Sequence, residues 1–130
     1  MLLISIVQFT IWCRTIPSCG RFSRGYVAGD FIFTAGQGGL DPADGRIVSE
    51  TVEGQAEQAC KNLGAILAEG GATHTDVIKA NVYLADIADF AAFNAVYAKY
   101  FTEKPARTCV AAKELPLGLK CEIEVVAYIG

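Results

Sequence analysis

PARTC, residues 105–109, is the stretch on which the reading of the fold turns. It follows the helix-like run AAFNAVYAKYFTEK (91–104) and opens into the apolar VAA (110–112). Pro105 lacks a backbone N–H and blocks continuation of the helix. Read as a strand, the stretch places Arg107 and Cys109 on one face and Thr108 and Val110 on the other, because strand side chains alternate. An arginine is rarely accommodated in a half-buried strand unless something pairs with it. After the turn-like KELPLGL (113–119), KCEIEVVAYI (120–129) reads as the last strand. Strands consecutive in sequence are commonly neighbours in the sheet, so Arg107 and Glu122 are expected side by side.

Upstream, DFAAFNAVYAKYF (89–101) predicts a helix with Phe90, Phe93, Tyr97 and Phe101 as its buried stripe and Asp86 or Asp89 as its cap. DVIKANVYLAD (76–86) alternates as a strand, with Val77, Lys79, Asn81 and Tyr83 opposite Ile78, Ala80, Val82 and Leu84. ETVEGQAEQACKNLGAILAEGG (50–71) predicts a helix whose Val52, Ala56, Ala59, Leu63, Ile66 and Leu67 form one stripe. Gly70 and Gly71 end it, since glycine takes a left-handed cap without a Cβ clash. GDFIFTAGQ (29–37) reads as a strand and RIV (46–48) as a short return strand. Two helices cover one face of such a sheet, which is an α+β layout. The other face would carry Val126 and Tyr128 beside Glu122 and Glu124, a mixed patch suited to burial against other subunits.

The chain has 130 residues, 52% apolar and 19% charged, with a net charge of −3. That suits one globular domain with a real core. Residues 15–130 are taken as that domain, and residues 1–14 as an N-terminal extension or extra strand. No basic stripe of the kind that grips phosphate backbones is present, which disfavours a nucleic-acid partner. Five cysteines and one histidine show no C-x-x-C pair and no ligand spacing, so neither a disulfide framework nor a metal site is supported. His74 is expected to be an exposed loop residue. MLLISIVQFTIW (1–12) is apolar but shorter than the roughly 20 residues of a bilayer span and lacks a basic leader region. The expected compartment is the cytoplasm, with organellar targeting by this segment left open.

Arg107 offers a planar fork for a carboxylate. Glu122 can orient a water or move a proton if its surroundings raise its pKa. Together they could form a pocket for an acidic metabolite. The plainer reading has them paired with each other at a subunit interface, and from the residues alone it leads. Cys109 as a nucleophile would need a nearby base, and a structural thiol is preferred. Glu124 reads as an interface or surface charge. Asn94 stands one turn past Phe90, either on the helix surface or at the pocket rim. GQGG (36–39) could wrap an anion, but it is weak evidence without the full glycine motif.

GRFSRG (20–25), FTAGQ (33–37), DFAAFNAVYAKYF (89–101), PARTCV (105–110) and CEIEVVA (121–127) resemble the Rid family, the reactive intermediate deaminases also called YjgF or L-PSP. The resemblance spans roughly residues 15–130 in order and spacing. It implies a chorismate-mutase-like α+β fold with one mixed sheet and two helices on one face. It also implies a homotrimer whose sheets form a barrel-like core, with pockets at the subunit interfaces. The implied activity is hydrolysis of reactive enamines and imines, such as 2-aminoacrylate, to 2-keto acids and ammonia, without metal or organic cofactor. On this resemblance Arg107 holds the substrate carboxylate and Glu122 aligns the attacking water. The backbone at Cys109 and Gly36 contacts water or substrate, with Asn94 at the pocket. Two positions depart from the usual pattern. Phe22 replaces a tyrosine and Ala35 a serine, and each change removes a hydroxyl from the pocket. A non-enzymatic carboxylate-binding or chaperone-like trimer is therefore the first alternative. An endoribonuclease or translation inhibitor stands behind it.

Overall fold

The computed structural model describes Phe9–Ile11 and residues 23–130. Six strands form one mixed sheet: β1 (Phe9–Ile11), β2 (Gly25–Ala28), β3 (Phe31–Thr34), β4 (Val77–Leu84), β5 (Ala106–Ala111) and β6 (Cys121–Tyr128). Two helices, α1 (Val52–Glu69) and α2 (Phe90–Tyr100), cover one face. The strand order is β1-β2-β3-β6-β4-β5. Only β4 and β5 run parallel, and α2 makes the crossover between them.

The stripe predicted for α1 is buried at every position, and it meets Ile32, Ala80, Val82, Leu84, Ile123 and Val125 from the sheet. Thr51 caps the helix by accepting from the Gly54 amide. At the other end Gly70 keeps a negative φ of −89°, and Gly71 alone takes the left-handed position at +82°.

The structure departs from the sequence reading in several places. GYVA (25–28), unassigned above, is β2, joined to β3 by a turn in which Gly29 has φ +58°. The return strand at 46–48 reduces to one bridge between Leu40 and Ile47. A bulge between Val77 and Lys79 breaks the alternation of β4, so Val77 turns into the core and Ile78 is exposed. Phe90 is 39% exposed, outside the buried stripe of α2. Asp86 caps the 3-10 turn Ile87–Asp89 that leads into α2, and Asp89 makes no capping bond.

His74 is half-buried rather than an exposed loop residue. Its Nε2 lies 2.7 Å from the Cys60 carbonyl, an acceptor, so Nε2 carries the proton and donates. Its ring packs 5.2 Å from Tyr100 and 5.4 Å from Phe101. The Gly64 backbone leaves room for the ring, for a Cβ there would lie 2.7 Å from His74 Cε1.

Candidate active site

Arg107 and Glu122 are not neighbours. β4 lies between β5 and β6, so two consecutive strands of the sequence are separated in the sheet. The register also puts the two side chains on opposite faces. Arg107 is paired with Ala80, and Ala80 with Val125, all on the helix-covered face. Glu122 is paired with Tyr83 on the open face. The pairing of Arg107 with Glu122 inside one chain is thereby excluded.

The Arg107 side chain is held by α2. Its Nη1 donates to Asn94 Oδ1 at 2.6 Å. The guanidinium lies 4.7 Å from the Tyr97 ring centroid and 5.5 Å from that of Phe90. Cation–π contact of this kind suits the planar, weakly hydrated guanidinium. Residues 90, 94 and 97 fall on one helical face at three- and four-residue steps. This explains why Phe90 is exposed: it flanks the arginine at the rim rather than filling the core. Among the described residues the one ion pair is Arg46 with Asp44, so no carboxylate neutralises Arg107.

Cys109 follows on the same face of β5, packed against the core. Burial pushes its thiol pKa up, and Arg107 partly offsets this, which leaves it a poor nucleophile at neutral pH. Its backbone is more available. The Ala112 amide donates to the Leu84 carbonyl at 2.8 Å. Peptide groups alternate sides along a strand, so those of Arg107, Cys109 and Ala111 point away from β4. Among the described residues β5 is the edge strand there.

The open face holds a second cluster. Residues 34–37 leave β3 and rejoin β6, where Gln37 and Ile123 exchange amide-to-carbonyl bonds of 2.8 and 2.9 Å. This brings Gly36 against Glu122: a Cβ at position 36 would overlap the carboxyl, meeting its Cδ at 2.8 Å. Ala35 is half-buried beside it, its amide donating to the Arg24 carbonyl at 2.8 Å. The carboxyl pKa of Glu122 is raised, first by burial and then by the neighbouring Glu124. Glu124 is more than a surface charge, since its Oε1 accepts from Tyr83 Oη at 2.8 Å and from Asn81 Nδ2 at 3.2 Å. Phe22 lies outside the described residues.

The predicted site residues thus fall into two groups: Arg107, Asn94 and Cys109 at the β5 edge, and Ala35, Gly36 and Glu122 on the open face. Two buried amides on α1 were missed by the sequence reading. Asn62 Nδ2 donates to the Gly38 and Leu40 carbonyls at 3.2 and 2.9 Å. Gln55 accepts from the Lys120 amide at 2.8 Å and donates to the Ser49 carbonyl at 2.9 Å. They tie the loops next to Gly36 and Glu122 to the helix, and within the GQGG turn the Gln37 amide, a donor an anion would need, is already spent on the Ile123 carbonyl. Their signal was present as polar residues inside an apolar helix face. Among the described residues no cluster of three or more His, Cys, Asp or Glu could hold a metal.

The endoribonuclease L-PSP family model matches residues 13–129. The chain belongs to this family. A human L-PSP relative, 2-iminobutanoate/2-iminopropanoate deaminase, is 42% identical over 97% of this chain and 93% of its own length. Reactive Intermediate Deaminase A, chloroplastic, of Arabidopsis thaliana is 45% identical over 85% of this chain and 59% of its own. Among solved L-PSP structures, that of E. coli TdcF with bound serine superposes with a TM-score of 0.85 at 34% identity, covering 92% of this chain and 96% of that one. The α+β architecture with two helices on one face is shared across these structures. Among the described residues, no helix of this L-PSP chain is long and apolar enough to cross a membrane.

Proposed function

We propose that the protein hydrolyses 2-imino acids and their enamine tautomers, such as 2-aminoacrylate, to 2-keto acids and ammonia, at sites each shared by two copies of the chain. One observation carries this reading: a prepared but uncompensated Arg107 on one face of the sheet, and a carboxyl with raised pKa on the other. Neither group completes a site alone. A neighbouring copy that sets its open face against the β5 edge would bring the two groups together.

The chemistry needs little more. A 2-iminium acid is already electrophilic. Arg107 binds its carboxylate through the fork, with Asn94 fixing one nitrogen and Phe90 and Tyr97 bracketing the plane. Glu122 aligns a water, which adds to the imine carbon, and its proton assists departure of the amine. Net, the iminium acid and one water give the keto acid and ammonium. Fixing both partners supplies most of the rate. The exposed peptide groups of Cys109 are suited to the substrate or the water. No metal or organic cofactor enters this scheme.

The assembly in this reading is a homotrimer. Phe31, Phe33 and Tyr128 are 39%, 46% and 45% exposed on the open face, and Val126 lies among them. An apolar surface of this kind is stabilised by burial against further copies. The compartment in this reading is the cytoplasm, although relatives carry chloroplastic and mitochondrial names.

The test mixes two inactive variants. Arg107→Ala and Glu122→Gln are refolded together, and keto acid release is followed from imino acids generated by an amino-acid oxidase. Random assembly restores roughly one site in four, so about a quarter of the wild-type rate returns. A mixture no more active than its components sinks the shared site. The second reading, carboxylate capture without turnover, is favoured by Ala35, which offers no hydroxyl next to Gly36. It requires keto acid binding with no imine hydrolysis by the wild type.

A further inference from the structure

We propose that Glu124 is a positioning residue for Glu122, anchored by Tyr83 and Asn81 so that its carboxylate stays beside the reacting carboxyl. The proposal rests on the deaminase reading of the Glu122 site. Glu122 and Glu124 are two residues apart on β6 and share the open face, their Cα atoms roughly 7 Å apart by strand rise. Tyr83 is the direct cross-strand partner of Glu122, yet its hydroxyl passes diagonally to Glu124 Oε1 at 2.8 Å. Asn81, the direct partner of Glu124, donates to the same oxygen at 3.2 Å. Two donors from one strand thus converge on a single oxygen, and neither is spent on Glu122.

Within one chain, the charged groups around Glu122 leave the pair uncompensated. On β4 the facing groups are Tyr83 and Lys79, and Lys79 Nζ is turned to Thr108 Oγ1 at 3.1 Å. On the 34–37 segment there is no titratable side chain. On β6 itself there is Glu124. Among the described residues neither carboxylate has a Lys or Arg nitrogen within 4.0 Å. A like charge held at this distance favours the protonated form of its neighbour. Hydrolysis of an imine needs a proton for the departing amine, and a carboxyl whose protonated form is favoured by its neighbour is better suited to give it. A tethered Glu124 keeps that coupling constant, whereas a loose one would swing into solvent and be screened.

The experiment measures kcat/KM against pH for wild type, Glu124→Gln, Glu124→Asp and Tyr83→Phe. It also measures the titration of Glu122 by carboxyl-carbon NMR in the same proteins. In Glu124→Gln the limb for Glu122 ionisation and the NMR midpoint both move to lower pH by about 0.5–1 unit, with KM little changed. Glu124→Asp restores part of the shift. Tyr83→Phe, which keeps both charges, moves the midpoint the same way by less. A midpoint for Glu122 that is unchanged in both Glu124→Gln and Tyr83→Phe overturns the proposal. The NMR arm needs no turnover, so an inactive wild type would refute the deaminase reading while the coupling is still decided.

Discussion

Gly36 and the carboxyl of Glu122 occupy the same place: any side chain at 36 would have to displace that carboxyl. The atoms in the way are the far end of a flexible side chain, and the φ of Gly36 is not in the left-handed region. Gly36→Ala is therefore expected to fold normally while swinging Glu122 aside. Misplacing a reacting group by an ångström costs about 100-fold in rate. The check is kcat for 2-iminopropionate beside a thermal melt. A variant with near-normal kcat would show that the position of Glu122 is unimportant.

Arg107→Lys keeps the charge and loses the fork, the Asn94 bond geometry and the stacking on Phe90 and Tyr97. Its kcat/KM should fall about 10- to 100-fold, and that of Arg107→Ala further. Asn94→Ala, which frees one nitrogen only, should cost about 3- to 10-fold. Steady-state kinetics on one imino acid rank the three. A lysine variant equal to wild type would mean that charge alone is read.

The raised pKa of Glu122 has a sign for stability. The fold binds its proton more tightly than the unfolded chain does, so stability falls as pH rises from below 4.5 through the raised value, and the cost is present in full above it. Glu122→Gln has no charge to bury. It should melt about 1–3 °C above wild type at pH 7, with the gap closing below pH 4.5. Scanning calorimetry at the two pH values decides it; a gap that widens on acidification contradicts the burial argument.

Ala35→Ser adds a hydroxyl to the residue that precedes Gly36. One added hydrogen bond to the water is worth about 1 kcal/mol, or roughly fivefold. The gain should appear in kcat for the smallest imino acid. No change in kcat would mean that the water is already held by other groups.

The α1 stripe was legible because its period is local and each of its residues does one thing, filling the core. PARTC was legible as a strand for the same reason, and the demand of Arg107 for a partner could be read from its type. Its relation to Glu122 was not. Adjacency in sequence suggests adjacency in the sheet, but α2 carries the chain back in parallel to β4, and β4 then separates the two strands. Alternation along β4 failed at Val77 because a bulge adds a residue without any mark in composition. Phe90 looked like core because apolar type does not distinguish filling a core from flanking a guanidinium. His74 looked like a loop residue because its partners, the Cys60 carbonyl and two aromatic rings, come from distant segments.

Cys60 and Cys121 lie fully buried within the core, their thiols pushed up to about 12 by burial. In the closed fold they are both out of reach and out of the reactive charge state. A thiol reagent can modify them only during moments when α1 lifts from β6. Their labelling, read peptide by peptide, is therefore a stopwatch for that separation, carried by the unaltered sequence and blind to motions elsewhere on the surface. Run with and without a keto acid, it would time how often the scaffold beneath Glu122 comes apart, and how far an occupied site holds it shut.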